Sequence, residues 1–238
     1  MYRLIDRPRN TATVQSIHGE DRDAKVVSHK FAADDTVMFA GENEGSLFLI
    51  RSGWVRLYRI LQDERTLVLG LLGPGEVFMQ DVRTGGSAPT TSADALTDCE
   101  VTEIPFERVG AVLVKSPALS RKLFGAIASR QTASHDFIEQ VLTKDTSIRL
   151  ASILLDLAKA VGEPTGTEGV LRITRSATHQ ALANMIGSNR VTVTRKLLDM
   201  QSKNLVRSLG RNSLEVDVDA LTAYINEANT EEANRNAA

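Results

Sequence analysis

The sequence is short of the residues that support most covalent or metal-based chemistry. It holds one cysteine, Cys99, among 238 residues, which excludes an internal disulfide and an all-cysteine iron–sulfur cluster within one chain. The four histidines, His18, His29, His135 and His179, are scattered. None pairs at i,i+4 or lies beside a Cys or Glu in a metal-ligand spacing, so no zinc or iron centre is expected. A G-x-S-x-G elbow and a Walker phosphate loop are both missing. Hydrophobic runs are short: none approaches the roughly 18 consecutive apolar residues of a membrane span. The opening MYRLIDRPRN lacks the apolar core of a secretory signal. An enzyme built on a familiar motif finds no foothold here; no cofactor, no membrane partner and a cytoplasmic location are the expectations.

What is present is ordinary globular material, with 42% hydrophobic and 24% charged residues, enough for a packed core. The length suits two modest domains or one large one. A net charge of −2 hides a local excess. From Arg172 to Arg211 there are eight basic residues (Arg172, Arg175, Arg190, Arg195, Lys196, Lys203, Arg207, Arg211) against Asp199 alone, a local +7. Such a segment suits phosphate contact as well as it suits a solvated basic face.

Residues 1–25 are polar and aperiodic, a flexible segment by composition. A first domain is placed at 26–115, and from Val26 to about Ile104 its texture is of short strands, VVSHKF, SLFLIRSG, WVRLYRI, TLVLGLL and CEVTEI, broken at turns such as Gly41-Glu42-Asn43 and Gly73-Pro74-Gly75. That spacing predicts an antiparallel barrel or jelly roll. Leu47 and Leu49, then Trp54, Arg56 and Tyr58, alternate as in half-buried strands. Within 116–144, Pro117 opens a helix, and Leu119, Leu123, Ile127, Ser134, Ile138 and Val141 recur near multiples of 3.5. A helix of about 27 residues would be about 40 Å long, which fits a dimer helix better than an ordinary amphipathic core helix. The last domain is 145–225, with a helix over 147–161 ended by Gly162 and Pro164, then a strand over Val170–Ile173. A polar tail, 226–238, is expected to fray.

The densest signal lies between Thr178 and Gln201. Thr178 is a good N-cap for a short helix with Leu182, Met185 and Ile186 at i, i+3, i+4. Gly187 supplies a turn without a Cβ, and Ser188 is expected to cap a second helix. There Val193, Leu197 and Met200 form an inward stripe, while Arg190, Val191, Thr194 and Arg195 project the other way. Arginine can pair with guanine, and a valine or threonine methyl can touch the thymine methyl; the alternative is a surface helix with incidental arginines. Asn204–Leu209 and Ser213–Val218 form a hairpin turning at Gly210-Arg211-Asn212, a wing. Asp219 is expected to cap a last short helix.

Over about Val26 to Ile225 the chain resembles the CRP/FNR family of bacterial regulators. The stretch THQALANMIGSNRVTVTRKLLDMQSKNLV looks like the family's helix-turn-helix, and SNRVTVTR is similar to the cyanobacterial nitrogen-regulator version. GENEGSLFLIRSGWVRL and GPGEVF match its β-roll turns, and KDTSIRLASILLDLA its hinge and following helix. The resemblance implies an α+β chain: an N-terminal cyclic-nucleotide-binding-type jelly roll, a long dimerisation helix and a C-terminal winged helix-turn-helix. It also implies a homodimer on duplex DNA with half-sites one turn, roughly 34 Å, apart, and RNA polymerase as a partner. Carried over by position, the DNA-binding set is Thr178, Gln180, Ser188, Arg190, Val191, Thr192, Thr194, Arg195, Lys196 and Arg211. Val191 stands where cAMP receptors carry a glutamate, so a GTA-N8-TAC-like site is expected rather than TGTGA arms.

The effector pocket departs from the pattern. Gly75-Glu76, followed by Val77, matches the first half of the family's phosphate clamp, but the Arg-Ser position aligns on Pro89-Thr90, and proline offers neither charge nor N–H. Arg83, in the longer loop over 81–88, is the basic side chain nearby. Ser134 and His135 fall where cAMP receptors contact adenine. The candidate pocket is therefore Gly75, Glu76, Val77, Arg83, Thr90, Ser134 and His135, with cAMP control not expected and a small-molecule effector, if one exists, unidentified. Cys99 reads as a small buried hydrophobe. Two other classes compete: a ligand- or partner-docking module, in which Arg190, Arg195 and Lys196 would have no use, and a cupin-type metalloenzyme, which needs a histidine pair that His29 cannot supply.

Overall fold

The computed structural model describes residues 27–41, 45–79, 90–115, 117–143, 145–174, 177–210 and 212–236. Its contacts divide the chain into two compact units that part between Gln131 and Thr132, with Ile60–Gly70 grouped in the second.

The N-terminal strands form the jelly roll. Eight strands, β1 (Val27–Phe31), β2 (Thr36–Met38), β3 (Ser46–Ser52), β4 (Val55–Ile60), β5 (Thr66–Leu72), β6 (Val77–Met79), β7 (Thr91–Ala95) and β8 (Cys99–Pro105), form two four-stranded sheets ordered β1-β8-β3-β6 and β2-β7-β4-β5. The five strands expected from sequence are present. Strands β2, β6 and β7 complete the sheets, and helix α1 (Phe106–Lys115) follows β8 directly.

The half-buried alternation expected of Leu47 and Leu49 is corrected, because β3 is buried on both faces from Ser46 to Ile50. Leu47 and Leu49 pack with Val77 and Ile104 beneath Val112 of α1 and Leu123 of the next helix, α2 (Pro117–Thr143). Phe48 alternates with them along the strand and stacks on its ladder partner Phe78, ring centroids 5.0 Å apart. Two helices cover a sheet face that would otherwise meet water, so the strand carries apolar residues at every position. Gly45 enters this strand against the Phe106 ring, where a Cβ would collide. Cys99 is buried in β8, and burial, then the Asp98 and Asp35 carboxylates, push its thiol up to about 11; a thiol so far from its thiolate is a poor nucleophile.

The second unit starts within α2. Helix α3 (Thr146–Val161) is capped by Asp145, whose side chain accepts from the Ser147 N–H, and it buries Leu150, Leu154 and Leu157. A four-stranded sheet ordered β11-β12-β10-β9 is built from β9 (Glu163–Pro164), β10 (Val170–Thr174), β11 (Val206–Ser208) and β12 (Ser213–Asp217). In register, Ile173 faces Leu214, and Val216 faces both Leu171 and Val206. Helix α4 (His179–Ile186) and helix α5 (Arg190–Ser202) lie between β10 and β11 in the chain.

Two expectations about the C-terminus are corrected. The last helix, α6 (Val218–Asn236), is 19 residues long and helical through the stretch expected to fray. Its first turn is closed by Asp217, whose Oδ1 accepts from the Ala220 N–H at 2.9 Å, and not by Asp219. Asp217 ends a strand in extended geometry, the conformation an N-cap needs; Asp219 is already helical. Among the described residues no helix is long and apolar enough to cross a membrane.

Candidate nucleic-acid interface

The site grows from two caps and one glycine. Thr178 has extended backbone angles, and its Oγ1 accepts from the Ala181 N–H at 3.0 Å, so α4 starts where expected. Gly187 ends α4 with φ of +63°, the left-handed conformation that favours glycine. The Ser188 N–H then returns to the Ala183 carbonyl at 2.9 Å. Ser188 is therefore part of the turn and does not cap α5, which corrects that expectation. The cap is Asn189: its Oδ1 accepts from the Thr192 N–H at 2.8 Å, and its carbonyl accepts from Val193. Ser188 has its amide committed backwards, so the first residue free to face α5 is the next one.

Helix α5 has two distinct sides. Val193, Leu197 and Met200 are 0%, 1% and 0% exposed, which anchors the helix by its apolar stripe. Arg190, Val191 and Arg195 are exposed, Val191 at 79%. Leu198 extends the same side at 60% exposure, a residue the sequence pattern alone did not single out. Thr192 and Thr194 are half-buried. The Thr194 hydroxyl is not free to swing: its oxygen lies 2.9 Å from the Arg190 carbonyl oxygen and 2.8 Å from His179 Nδ1.

The local charge excess is smaller in space than along the chain. Lys196 turns to Asp145, Nζ to Oδ1 at 3.2 Å, reaching the cap of α3. Lys203 pairs with Asp199 at 3.0 Å and lies over the Tyr224 ring. Arg172 meets Glu215 at 2.9 Å, and Arg207 approaches the same carboxylate at 3.8 Å while staying exposed. Asp145 and Glu215 lie outside the segment whose charges were counted, which is why sequence summation overstates the field. Arg190 and Arg195 have no acidic partner among the described residues. Arg175 and Arg211 lie outside the described residues.

A groove of about 700 Å³ runs beside these groups, lined by Thr178, His179, Gln180, Arg190, Ser208, Gly210 and Asn212. It joins the start of α4, the start of α5 and the wing. Thr178, Gln180 and Arg190 were expected at such a surface. The wing turn at Gly210 and Asn212 was expected as well, whereas His179 was not singled out, and its only signal was adjacency to the motif.

Of the effector candidates, Glu76 is committed to its own turn, its Oε2 accepting from the Gly73 N–H at 2.7 Å. Gly75 donates its N–H to the Ile50 carbonyl at 2.9 Å, with φ of +88°. Val77 is a core residue, 3% exposed. Thr90 is half-buried ahead of β7. Ser134 and His135 are exposed on α2 in the part belonging to the second unit. Arg83 lies outside the described residues. Glu76 Oε2 is thus used in its turn, and in sequence Pro89 stands where the clamp's arginine would.

The comparisons with known proteins agree with this two-part layout. Residues 28–116 match the cyclic nucleotide-binding domain, and residues 148–224 match the Crp-like helix-turn-helix domain. The global nitrogen regulator of Nostoc sp. (strain PCC 7120) is 31% identical over 182 residues, covering 76% of this chain and 81% of that protein. The CRP-like cAMP-activated global transcriptional regulator of Mycobacterium tuberculosis (strain H37Rv) is 27% identical over 191 residues, covering 80% and 84%. Among solved structures, a CRP/FNR-family transcriptional regulator from Thermus thermophilus superposes with a TM-score of 0.69 at 24% identity, over 84% of this chain and 99% of that one.

Proposed function

The chain belongs to the CRP/FNR family of transcription regulators, and from that premise we propose that it acts as a homodimer reading a two-fold-symmetric duplex site through α5. The observation that carries this reading is the exposed start of α5. There Arg190 and Arg195 stand free of acidic partners among the described residues beside a Val191 that is 79% exposed, above a fully buried anchoring stripe. Two guanidiniums and an apolar group at the N-terminal half of a helix suit guanine edges and a thymine methyl. Thr178, Gln180, Ser188 and Arg211 border the same surface in sequence or in space and serve as backbone contacts. Lys196 contributes only once it leaves Asp145.

Dimerisation is supported by α2. Phe124, Ile127, Gln131, Ser134 and Ile138 recur at steps of three and four along it, and Phe124 and Ile138 are 64% and 54% exposed in the single chain. A line at heptad spacing on a 27-residue helix, apolar at Phe124, Ile127 and Ile138 with a polar gap at Gln131 and Ser134, suits the seam of a two-stranded coiled coil. The protein's action on transcription makes RNA polymerase its second macromolecular partner and the cytoplasm its compartment. Control by cAMP is not part of this reading, because Pro89 stands at the position of the clamp's arginine and offers neither charge nor N–H.

The test is selection from random duplex DNA with purified protein and no added small molecule. Enrichment of a symmetric site with GTA-like arms is the expected result and shows an effector-free protein to be competent. Enrichment of asymmetric or unrelated sequence would remove the dimer reading. No enrichment, with or without cell extract, would remove the DNA-reading role.

A further inference from the structure

The hydroxyl of Thr194 has one proton and two lone pairs. Two groups lie within hydrogen-bonding distance of it: the Arg190 carbonyl oxygen at 2.9 Å and His179 Nδ1 at 2.8 Å. A carbonyl can only accept, so the proton of Thr194 goes to Arg190, the usual back-bond of a helical threonine to the residue four before it. The ring nitrogen must then donate. The opposite arrangement, with Thr194 donating to the ring, would leave its oxygen facing the carbonyl without a proton and forfeit one of the two bonds. The arrangement that keeps both therefore places a proton on Nδ1 of His179, the first residue of α4, and directs it at the second turn of α5.

We propose that His179 is a positioning residue for DNA specificity: it fixes the Thr194 hydroxyl as an acceptor-only group on the reading face of α5. The inference rests on the DNA-reading role proposed above. With its proton committed to Arg190 and one lone pair committed to His179, Thr194 keeps a single lone pair. It has nothing to donate to O6 or N7 of guanine or to O4 of thymine. It can accept from N6 of adenine or N4 of cytosine, the amino groups in the major groove. The base facing Thr194 is thereby selected for an exocyclic amine and against a keto oxygen. The same contact ties the start of α4 to the second turn of α5.

The experiment measures the affinity of the full-length protein for its selected site and for every single-base-pair substitution of it. For the wild type, one position on one strand should require adenine or cytosine, whose amino group faces Thr194, and placing thymine or guanine on that strand (with the complement opposite) should weaken binding about fivefold, the worth of one hydrogen bond. T194V should abolish that preference. H179A should relax it at the same base pair and nowhere else. H179N, whose amide N–H can take the place of Nδ1–H, should restore it. In the T194V background H179A should have no further effect. If H179A fails to fold, H179Q replaces it, since its amide is offered at the Nε2 position and misses Thr194. Additive effects of H179A and T194V would overturn the inference. So would an H179A loss that is equal across all sequences with a shallower salt dependence, which would mark a direct phosphate contact. A wild type that selects no site overturns both this inference and the DNA-reading role, whereas a selected site with additive variants overturns this inference alone.

Discussion

Val191 and Asp145 carry opposite kinds of information about specificity. Val191 places an uncharged, exposed group where a glutamate could accept from cytosine. Val191→Glu should therefore move the selected half-site toward a cytosine at one base pair, read by repeating the selection; an unchanged preference would remove Val191 from the reading set. Asp145 acts on affinity alone. Its carboxyl is held down at about 2 by the Ser147 backbone N–H, then the Ser147 hydroxyl and Lys196. Asp145→Asn keeps a side-chain oxygen for the cap and releases Lys196, so binding should strengthen for all sequences and the salt slope should steepen by about one phosphate contact. Asp145→Ala removes the cap as well and should lower stability by about 1 kcal/mol. A carboxyl whose folded pKa is depressed stabilises above its unfolded value, about 3.9, and loses that contribution as pH falls through about 2. The stability gap between wild type and Asp145→Ala should thus close between about pH 4 and 2 in thermal unfolding.

At the scale of elements, most helices were legible because their signals are local. The α2 span, the α4 cap at Thr178, the Gly187 turn and the buried stripe of α5 follow from periodicity and cap chemistry. The errors are equally physical. Ser188 and Asn189 are adjacent cap formers, as are Asp217 and Asp219 two apart, and only backbone direction distinguishes them. Strand β7 escaped notice because its buried positions Ala93 and Ala95 are small and give little hydrophobic contrast. Helix α1 begins without a break after β8, so no turn or cap signal set it apart in the sequence. The pairing of Lys196 with Asp145 joins residues far apart in sequence, and no local pattern reveals it. For α2 the consequence is direct. Ile138→Glu places a charge on the exposed heptad line and should shift the protein to monomer in analytical ultracentrifugation. Affinity for the symmetric site should then fall by about 100-fold or more as the second half-site contact is lost. A variant that stays dimeric would place the interface elsewhere.

On the scale of the whole molecule, the two units differ in how firmly sequence specified them. The winged helix was readable in its elements, its Thr178 cap and its Gly187 turn. The roll was readable as a texture, and of its candidate ligand residues Glu76 is used in a turn and Val77 in the core. The buried cysteine of the roll has a practical use. Since Cys99 is the chain's sole thiol, 5% exposed and poorly ionised, a thiol reagent can modify it only when β8 comes loose. Labelling should be slow in native buffer and accelerate in step with denaturant, while the helix-turn-helix contributes no competing signal. The molecule thus carries a chemical clock for the opening of one of its halves, readable by mass spectrometry without any engineered probe; fast labelling of the native protein would mean that β8 opens far more often than its packing implies.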